Sequence, residues 1–90
     1  RIYIDHGASK ALRSGKSLLP AGIIKIAGNF KKGDNIVIAD NNNVDIARAL
    51  SSFTSEEINK IKGLQSNQIE NILGYASKSE IVHKNDIVIL

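Results

Sequence analysis

Three consecutive asparagines separate two runs of residues that favour β-strands. The run IVIAD occupies residues 36–40, the asparagines occupy residues 41–43, and the run VDIARALSSF begins at Val44. Asparagine tolerates the left-handed backbone of tight turns, so this segment predicts a β-hairpin. Because side chains alternate between the faces of a strand, the second arm divides into two sets. One face carries Val44, Ile46 and Arg48, and the other carries Asp45, Ala47 and Ala49.

The first thirty residues predict a strand, a helix, a turn and another strand. Ile2–Ile4 alternates as a short strand, and Asp5 is placed to cap the helix that follows it. Pro20–Gly22 predicts a turn. Residues 23–30 predict a strand whose apolar face is interrupted at Gly28. A glycine within a strand indicates a bulge or the close approach of another backbone.

After residue 53 the apolar residues follow the period of helices. Thr54 and Glu57 have the spacing of a capping box, in which each side chain accepts a hydrogen bond from the other residue's backbone. Ser66 is the predicted cap of a second short helix. The inward-facing residues of that helix are Ile69, Ile72 and Leu73. Residues 81–90 predict two short strands separated by a bend.

The predicted element order is β-α-β-β-β-α-α-β-β. Ninety residues are enough for one modest core, so we assign residues 1–90 to a single domain. Short strands, tight turns and a few short helices predict a mostly β fold, a small β pseudobarrel with helices covering its openings. The chain has no methionine and begins within a predicted strand, so we interpret it as part of a longer protein. No apolar run approaches the ~20 residues of a membrane span.

The tripeptide GKS, residues 15–17, also occurs at the end of phosphate-binding P-loops. A P-loop has another glycine five positions earlier, where this chain has Lys10, and the nearest upstream glycine is Gly7. The helix that should follow a P-loop is interrupted here by Pro20 and Gly22. GKS therefore predicts the end of the preceding helix, with Lys16 in solvent, and no nucleotide site.

Side chains able to carry catalytic chemistry are scattered along the chain. The two histidines, His6 and His83, are far apart, and their spacing does not indicate a metal site. The sequence places no base near Ser17, Ser51 or Ser52. The aromatic residues are Tyr3, Phe30, Phe53 and Tyr75, too few for a base-stacking platform. We expect the two phenylalanines in the core and predict no catalytic residues and no metal site.

Positive charge is concentrated in the first third of the chain. The formal net charge is +3, but residues 1–32 carry seven Lys or Arg and one acid, a net charge of +6. If these side chains share one face, that face attracts phosphate groups or an acidic partner. The alternative interpretation is that the lysines only keep the domain soluble.

Several motifs resemble those of the PUA domain, a small pseudobarrel appended to RNA-modifying enzymes and to one amino-acid kinase. They are PAGI at residues 20–23, FKKGD at residues 30–34, and IARAL at residues 46–50 with the SS that follows it. Longer segments are similar to the C-terminal PUA domains of glutamate 5-kinases. These are IDHGASKAL, SLLPAGI, GNFKKGD, ILGY and IVHKNDIVIL, and the resemblance covers essentially the whole chain. That family usually has arginine where this chain has Lys84, and lysine cannot make the two-pronged contact of arginine.

The resemblance implies a host enzyme that phosphorylates the side-chain carboxylate of L-glutamate, the first step of proline synthesis, under feedback inhibition by proline. It implies that ATP and Mg²⁺ belong to a separate kinase domain, so that residues 1–90 bind no cofactor. It further implies a non-catalytic regulatory or assembly module in a cytoplasmic enzyme without membrane contact. The implied partner is the kinase domain of the same chain, and homo-oligomers would form through the parent enzyme.

RNA binding is the alternative function that the resemblance leaves open, with structured RNA as the partner. In PUA domains that bind RNA, the first helix and the following strand face the nucleic acid. The matching positions here are Lys10, Arg13, Lys16 and Lys25, with exposed backbone at Ala21 and Gly22. Basic side chains there would bind phosphates with salt-dependent affinity. A third alternative is protein interaction through an apolar patch at Leu18 and Leu19.

Overall fold

The computed structural model describes residues 1–74 and 80–90. Five strands form one sheet in the order β2-β1-β3-β4-β5, in which β1 and β3 are parallel and all other neighbours are antiparallel. The elements are β1 (Ile2–Ile4), α1 (His6–Arg13), β2 (Ile23–Ile26), β3 (Asn35–Ala39), β4 (Asp45–Leu50), α2 (Ser55–Ile61), α3 (Ile69–Leu73) and β5 (Ile87–Ile89). A sheet of short strands with three short helices confirms the predicted fold class.

The asparagine run forms the predicted hairpin turn between β3 and β4. Asp40 accepts hydrogen bonds from the N–H groups of Asn42 and Val44 through its Oδ1 atom, at 2.9 and 3.0 Å. Asn43 has a φ of 66°, the left-handed conformation that asparagine tolerates.

The predicted alternation along β4 is wrong at one position, because the strand contains a bulge. Ile38 is paired with Ala47, whereas the next residue, Ala39, is paired with Asp45. Ile46 is therefore an extra residue of β4 that has no partner on β3, and side chains no longer alternate strictly between the two faces at this point. Ile46 and Ala47 are both buried, at 2% and 0% exposure.

The helix α1 begins as predicted. The Oδ1 atom of Asp5 accepts a hydrogen bond of 2.8 Å from the N–H of Ala8, which caps the first turn. Gly15 follows the helix with a φ of 82°. The predicted strand 23–30 is shorter than expected, because β2 ends at Ile26. Gly28 has a φ of 80° and open space around its missing Cβ, so it is a turn residue and not a point of close backbone approach.

The capping box of α2 is confirmed, and two predictions for the next helix are wrong. Thr54 Oγ1 accepts from the N–H of Glu57, and Glu57 Oε1 accepts from the N–H of Thr54. At the following turn the backbone N–H of Gln65 donates to the side chain of Gln68, so Ser66 is not the cap. Ile72, predicted inward, is 49% exposed.

The core lies between the sheet and the helices. Phe53 is 1% exposed and Phe30 is 9% exposed, which confirms the expectation for both phenylalanines. Of the two strands predicted in residues 81–90, only β5 forms. The first is reduced to a single bridge between Val82 and Leu18. Tyr75 lies outside the described residues.

Candidate functional site

A cleft of about 720 Å³ opens beside α1, between residues 15–22 and residues 80–84. Small residues of α1 form one wall, namely Gly7, Ala8 and Ala11. Lys16 and Lys84 line the cleft from the two other segments. Because the wall from α1 carries no large side chain, a ligand can approach the helix closely.

The turn Pro20–Gly22 packs directly on α1, and the glycine is required there. A Cβ added to Gly22 would lie 2.5 Å from the Cβ of Ala8, which is closer than two carbon atoms can approach without contact strain. The carbonyl of Gly22 accepts a hydrogen bond of 2.9 Å from the N–H of Asp5. The same residue that caps α1 therefore also fixes the turn beside it.

Two segments that are distant in sequence are hydrogen-bonded to each other at the cleft. The backbone N–H of Lys84 donates to Ser17 Oγ at 2.9 Å. Leu18 and Val82 form an antiparallel bridge, with a Leu18 N–H to Val82 carbonyl distance of 3.1 Å. These bonds bring Lys84 to the cleft that Lys16 lines. Sequence reasoning did not include Lys84 among the site residues, and 67 residues separate it from Ser17.

The structure brings together three of the six predicted site residues. Lys16, Ala21 and Gly22 line the cleft. Lys10 and Arg13 are exposed on α1 but do not line it. Gly22 is partly buried, its N–H donates to the Leu19 carbonyl at 3.2 Å, and its carbonyl accepts from the N–H of Asp5. Ala21 is exposed as expected.

The sixth predicted residue, Lys25, lies on β2 beside a different surface. Its Nζ atom is 4.7 Å from the centre of the Tyr3 ring, and the guanidinium of Arg1 is 5.5 Å from the same centre. Arg1 Nε also donates to the Tyr3 hydroxyl at 3.1 Å. The hydrogen bond to Asp45, and then that to Tyr3, raise the pKa of Arg1. Tyr3 is thus flanked by two cations and does not serve as a free stacking surface.

The charges around the cleft are of both signs. Lys16 and Lys84 carry positive charge, and Asp5 and Glu80 also line the cleft. Asp5 already accepts the capping hydrogen bond of α1. Within residues 1–74 and 80–90 the ion pair found joins Arg1 to Asp45, so neither cleft lysine is held by a carboxylate there. Both ammonium groups are therefore available to an incoming acceptor.

The two histidines lie in different parts of the structure. His6 is the first residue of α1, and His83 accepts a hydrogen bond from the N–H of Asn85 through Nδ1. In the part of the chain that is described, no three His, Cys, Asp or Glu side chains are grouped as a metal site requires.

Leu18, proposed as part of an apolar patch, is buried at 1% exposure, whereas Leu19 is 46% exposed. None of the described helices is both long and apolar enough to span a membrane.

Comparison with known families identifies the domain. The family model described as "PUA domain" matches residues 1–73. The chain belongs to the PUA domain family. This PUA domain is similar over 91% of its length to a PUA domain from Aeropyrum pernix crystallised with tartrate, with a TM-score of 0.66 and 17% sequence identity. It is also similar to a PUA domain protein from Thermoplasma acidophilum, with a TM-score of 0.61. The match covers 40% and 46% of those two chains.

Curated relatives of this PUA domain are glutamate 5-kinases. It is 59% identical to the enzyme of Pelagibacter ubique over 97% of the domain, and 51% identical to that of Bartonella henselae over 98%. The enzyme of a Thermoanaerobacter species is 45% identical over the whole domain. The domain spans about a quarter of these proteins, 23% to 24% of their length. It is homologous to their C-terminal part.

Proposed function

We propose that this PUA domain is the non-catalytic C-terminal module of a glutamate 5-kinase, with a regulatory or assembly role. The observation that carries the proposal is similarity along nearly the whole domain to about a quarter of each glutamate 5-kinase. The parent enzyme would transfer a phosphoryl group from ATP to the side-chain carboxylate of L-glutamate. ATP and Mg²⁺ would bind in the remaining three-quarters of such a protein.

The roles of the polar side chains support a non-catalytic module. Asp5 caps α1, and Ser17 accepts the N–H of Lys84. His83 caps the short turn before β5 through its Nδ1 atom. Each of these groups holds the backbone through one atom, and within the described residues no two of them are hydrogen-bonded to each other as a nucleophile and its base are. The partner on this proposal is the kinase domain of the same cytoplasmic chain, and homo-oligomers form through that parent enzyme.

The test compares three forms of the parent protein: the full chain, the full chain lacking this domain, and residues 1–90 alone. ATP- and glutamate-dependent phosphorylation is measured for each, together with proline inhibition and the assembly size. We expect no turnover by residues 1–90, and a deletion that changes proline inhibition or assembly size. Phosphorylation by residues 1–90 alone, or a parent protein that does not act on glutamate, would refute the proposal.

The second candidate function is binding of structured RNA at the cleft. The observation in its favour is that Lys16 and Lys84 line the same cleft from two distant segments, without a carboxylate partner in the described residues. Two lysines at such a site would position phosphate groups and give little sequence preference. Lys10, next to Gly7 on the helix surface, extends the basic character along α1.

RNA binding is tested with transfer RNA as the probe and two triple variants of equal charge change. The first replaces Lys10, Lys16 and Lys84 by alanine. The matched control replaces Lys31, Lys32 and Lys60, which are exposed elsewhere. If three phosphate contacts form, affinity falls by about 40-fold between about 50 and 200 mM salt, and only the first variant removes most of that dependence. No binding at low salt, or an equal effect of both variants, counts against RNA.

A further inference from the structure

An exposed apolar surface lies on the outer face of strands β4 and β5, away from the cleft. Val88 is paired with Arg48 across the two strands, and both are exposed. Leu50 and Leu90 each lie two residues from this pair on their own strands, in opposite directions because the strands are antiparallel, and alternation places both on the same face. Val88 is 66% exposed, Leu90 is 64% exposed and Leu50 is 41% exposed. We call Leu50, Val88 and Leu90 the β5 patch.

The strand that carries most of the β5 patch is an unprotected sheet edge. Within the described residues, β5 is the last strand of the sheet and is hydrogen-bonded to β4 alone. Edge strands are usually protected from association by charged residues, proline or a bulge. Residues 87–90 are Ile, Val, Ile and Leu. Neighbouring exposed apolar side chains on such an edge indicate a surface that associates with other polypeptide.

The side chain of Arg1 reaches the end of β4 that adjoins the patch. Its side chain pairs with Asp45 and donates to Asn43 Oδ1 at 3.2 Å. The carbonyl of the next residue, Ile46, accepts the N–H of Leu90 at 3.0 Å. Since neighbouring strands are separated by about 4.8 Å, the Arg1 side chain is roughly 10 Å from Leu90. The backbone of Arg1 adjoins β1, so a polypeptide joined to Arg1 enters the sheet three strands, or roughly 14 Å, from β5, a distance that a folded domain spans.

The share of each related protein that this domain matches indicates what would cover the patch. The domain spans 22% to 24% of the glutamate 5-kinases that it matches, and it corresponds to their C-terminal part. In a parent of that kind, about three-quarters of the protein would join the domain at Arg1. We infer that the β5 patch docks on an apolar surface of the polypeptide preceding Arg1 in the parent protein. This inference rests on the proposed function above.

Hydroxyl-radical footprinting of the full-length parent protein tests the inference. Ile72 on α3 is the internal reference, because it is 49% exposed and lies outside the patch. Oxidation rates are normalised to those of the unfolded protein. We expect Val88 and Leu90 to be oxidised more slowly than Ile72 by about threefold or more, as for residues in an interface core. Oxidation as fast as that of Ile72, or faster, overturns the inference.

A pair of variants identifies the polypeptide that covers the β5 patch. Val88→Asp places a charge in the patch at an exposed position, and Ile72→Asp is the matched control on α3. In the full-length protein we expect V88D, but not I72D, to restore rapid oxidation of Leu90 with no change in assembly size. Protection that is lost on dilution together with the assembly would assign the patch to a second copy of the chain and overturn the inference. Kinase activity tests the proposed function separately, because footprinting reports docking whether or not the parent phosphorylates glutamate.

Discussion

The hydroxyl oxygen of Ser17 accepts a hydrogen bond of 2.9 Å from the backbone N–H of Lys84, 67 residues further along the chain. With the adjacent bridge between Leu18 and Val82, it joins the segment after α1 to the segment before β5. Both segments line the cleft, so the relative position of Lys16 and Lys84 depends on this contact.

Ser17→Ala should loosen the segment before β5. Removing the acceptor leaves the N–H of Lys84 without its partner, and we expect a loss of about 1 kcal/mol in the free energy of unfolding. Urea denaturation measures the loss, and amide hydrogen exchange at Lys84 should accelerate. Ser14→Ala is the control, because Ser14 is exposed and its hydroxyl makes no hydrogen bond within the described residues. Equal effects of the two substitutions would contradict this role for Ser17.

Gly22→Ala and Gly7→Ala form a second matched pair. A Cβ at Gly22 would lie 2.5 Å from that of Ala8, so the turn must move away from α1. We expect overpacking to cost about 1–3 kcal/mol. A Cβ at Gly7 would have Asp5 Oδ1 at 3.6 Å as its nearest contact, and alanine has a higher helix propensity than glycine. Thermal unfolding should therefore shift in opposite directions for the two variants. A stabilising G22A would show that the turn is not packed as described.

Asp5→Ala should destabilise the domain by about 1 kcal/mol, because the N–H of Ala8 loses its cap. Asp5→Asn keeps an oxygen acceptor at the same place, and we expect it to retain most of the stability. Urea midpoints of the three proteins check this. A loss in D5N as large as that in D5A would mean that the charge of Asp5, and not its hydrogen bond, stabilises α1.

The bulge in β4 is tested by a comparison of two residues that strict alternation places on one face. Ile46 is 2% exposed and Val44 is 54% exposed. Ile46→Ala should cost about 2–5 kcal/mol, as for large-to-small substitutions in cores. Val44→Ala should change the free energy of unfolding by less than about 0.5 kcal/mol. Chemical denaturation measures the free energy of unfolding of both variants. In a strand without the bulge, Val44 and Ile46 would share a face and the two substitutions would cause similar losses.

Helix caps, which depend on residues close together in sequence, were predictable. The bulge, which depends on how two strands are paired, was not. The capping box of Thr54 and Glu57 and the cap at Asp5 depend on residues three apart, and both are confirmed. The bulge at Ile46 depends on how β4 is aligned with β3, and no local pattern reports that alignment. Ser66 lies between Gln65 and Gln68, whose hydrogen bond closes the same turn, so a rule based on residue type alone predicts the wrong cap.

The same distinction applies to the cleft. Lys16, Ala21 and Gly22 lie near one another in sequence, and the structure places all three at one surface. Lys84 joins them only through hydrogen bonds between distant segments, which composition and spacing do not report. Lys25 was grouped with them because β2 follows the turn, but its side chain instead lies over the Tyr3 ring.

The position of β1 in the sheet has a consequence for the order of folding. β1 is paired on one side with β2 and on the other, in parallel, with β3. The hairpin of β3 and β4 closes a short loop, whereas the insertion of β1 between two later strands closes longer ones at a greater entropic cost. We therefore expect the hairpin to form in the transition state and β1 to dock afterwards. In stopped-flow experiments, Asn43→Val should slow folding, and Ile2→Val should mainly accelerate unfolding. If Ile2→Val slowed folding and Asn43→Val mainly accelerated unfolding, the folding nucleus would instead lie at the start of the chain.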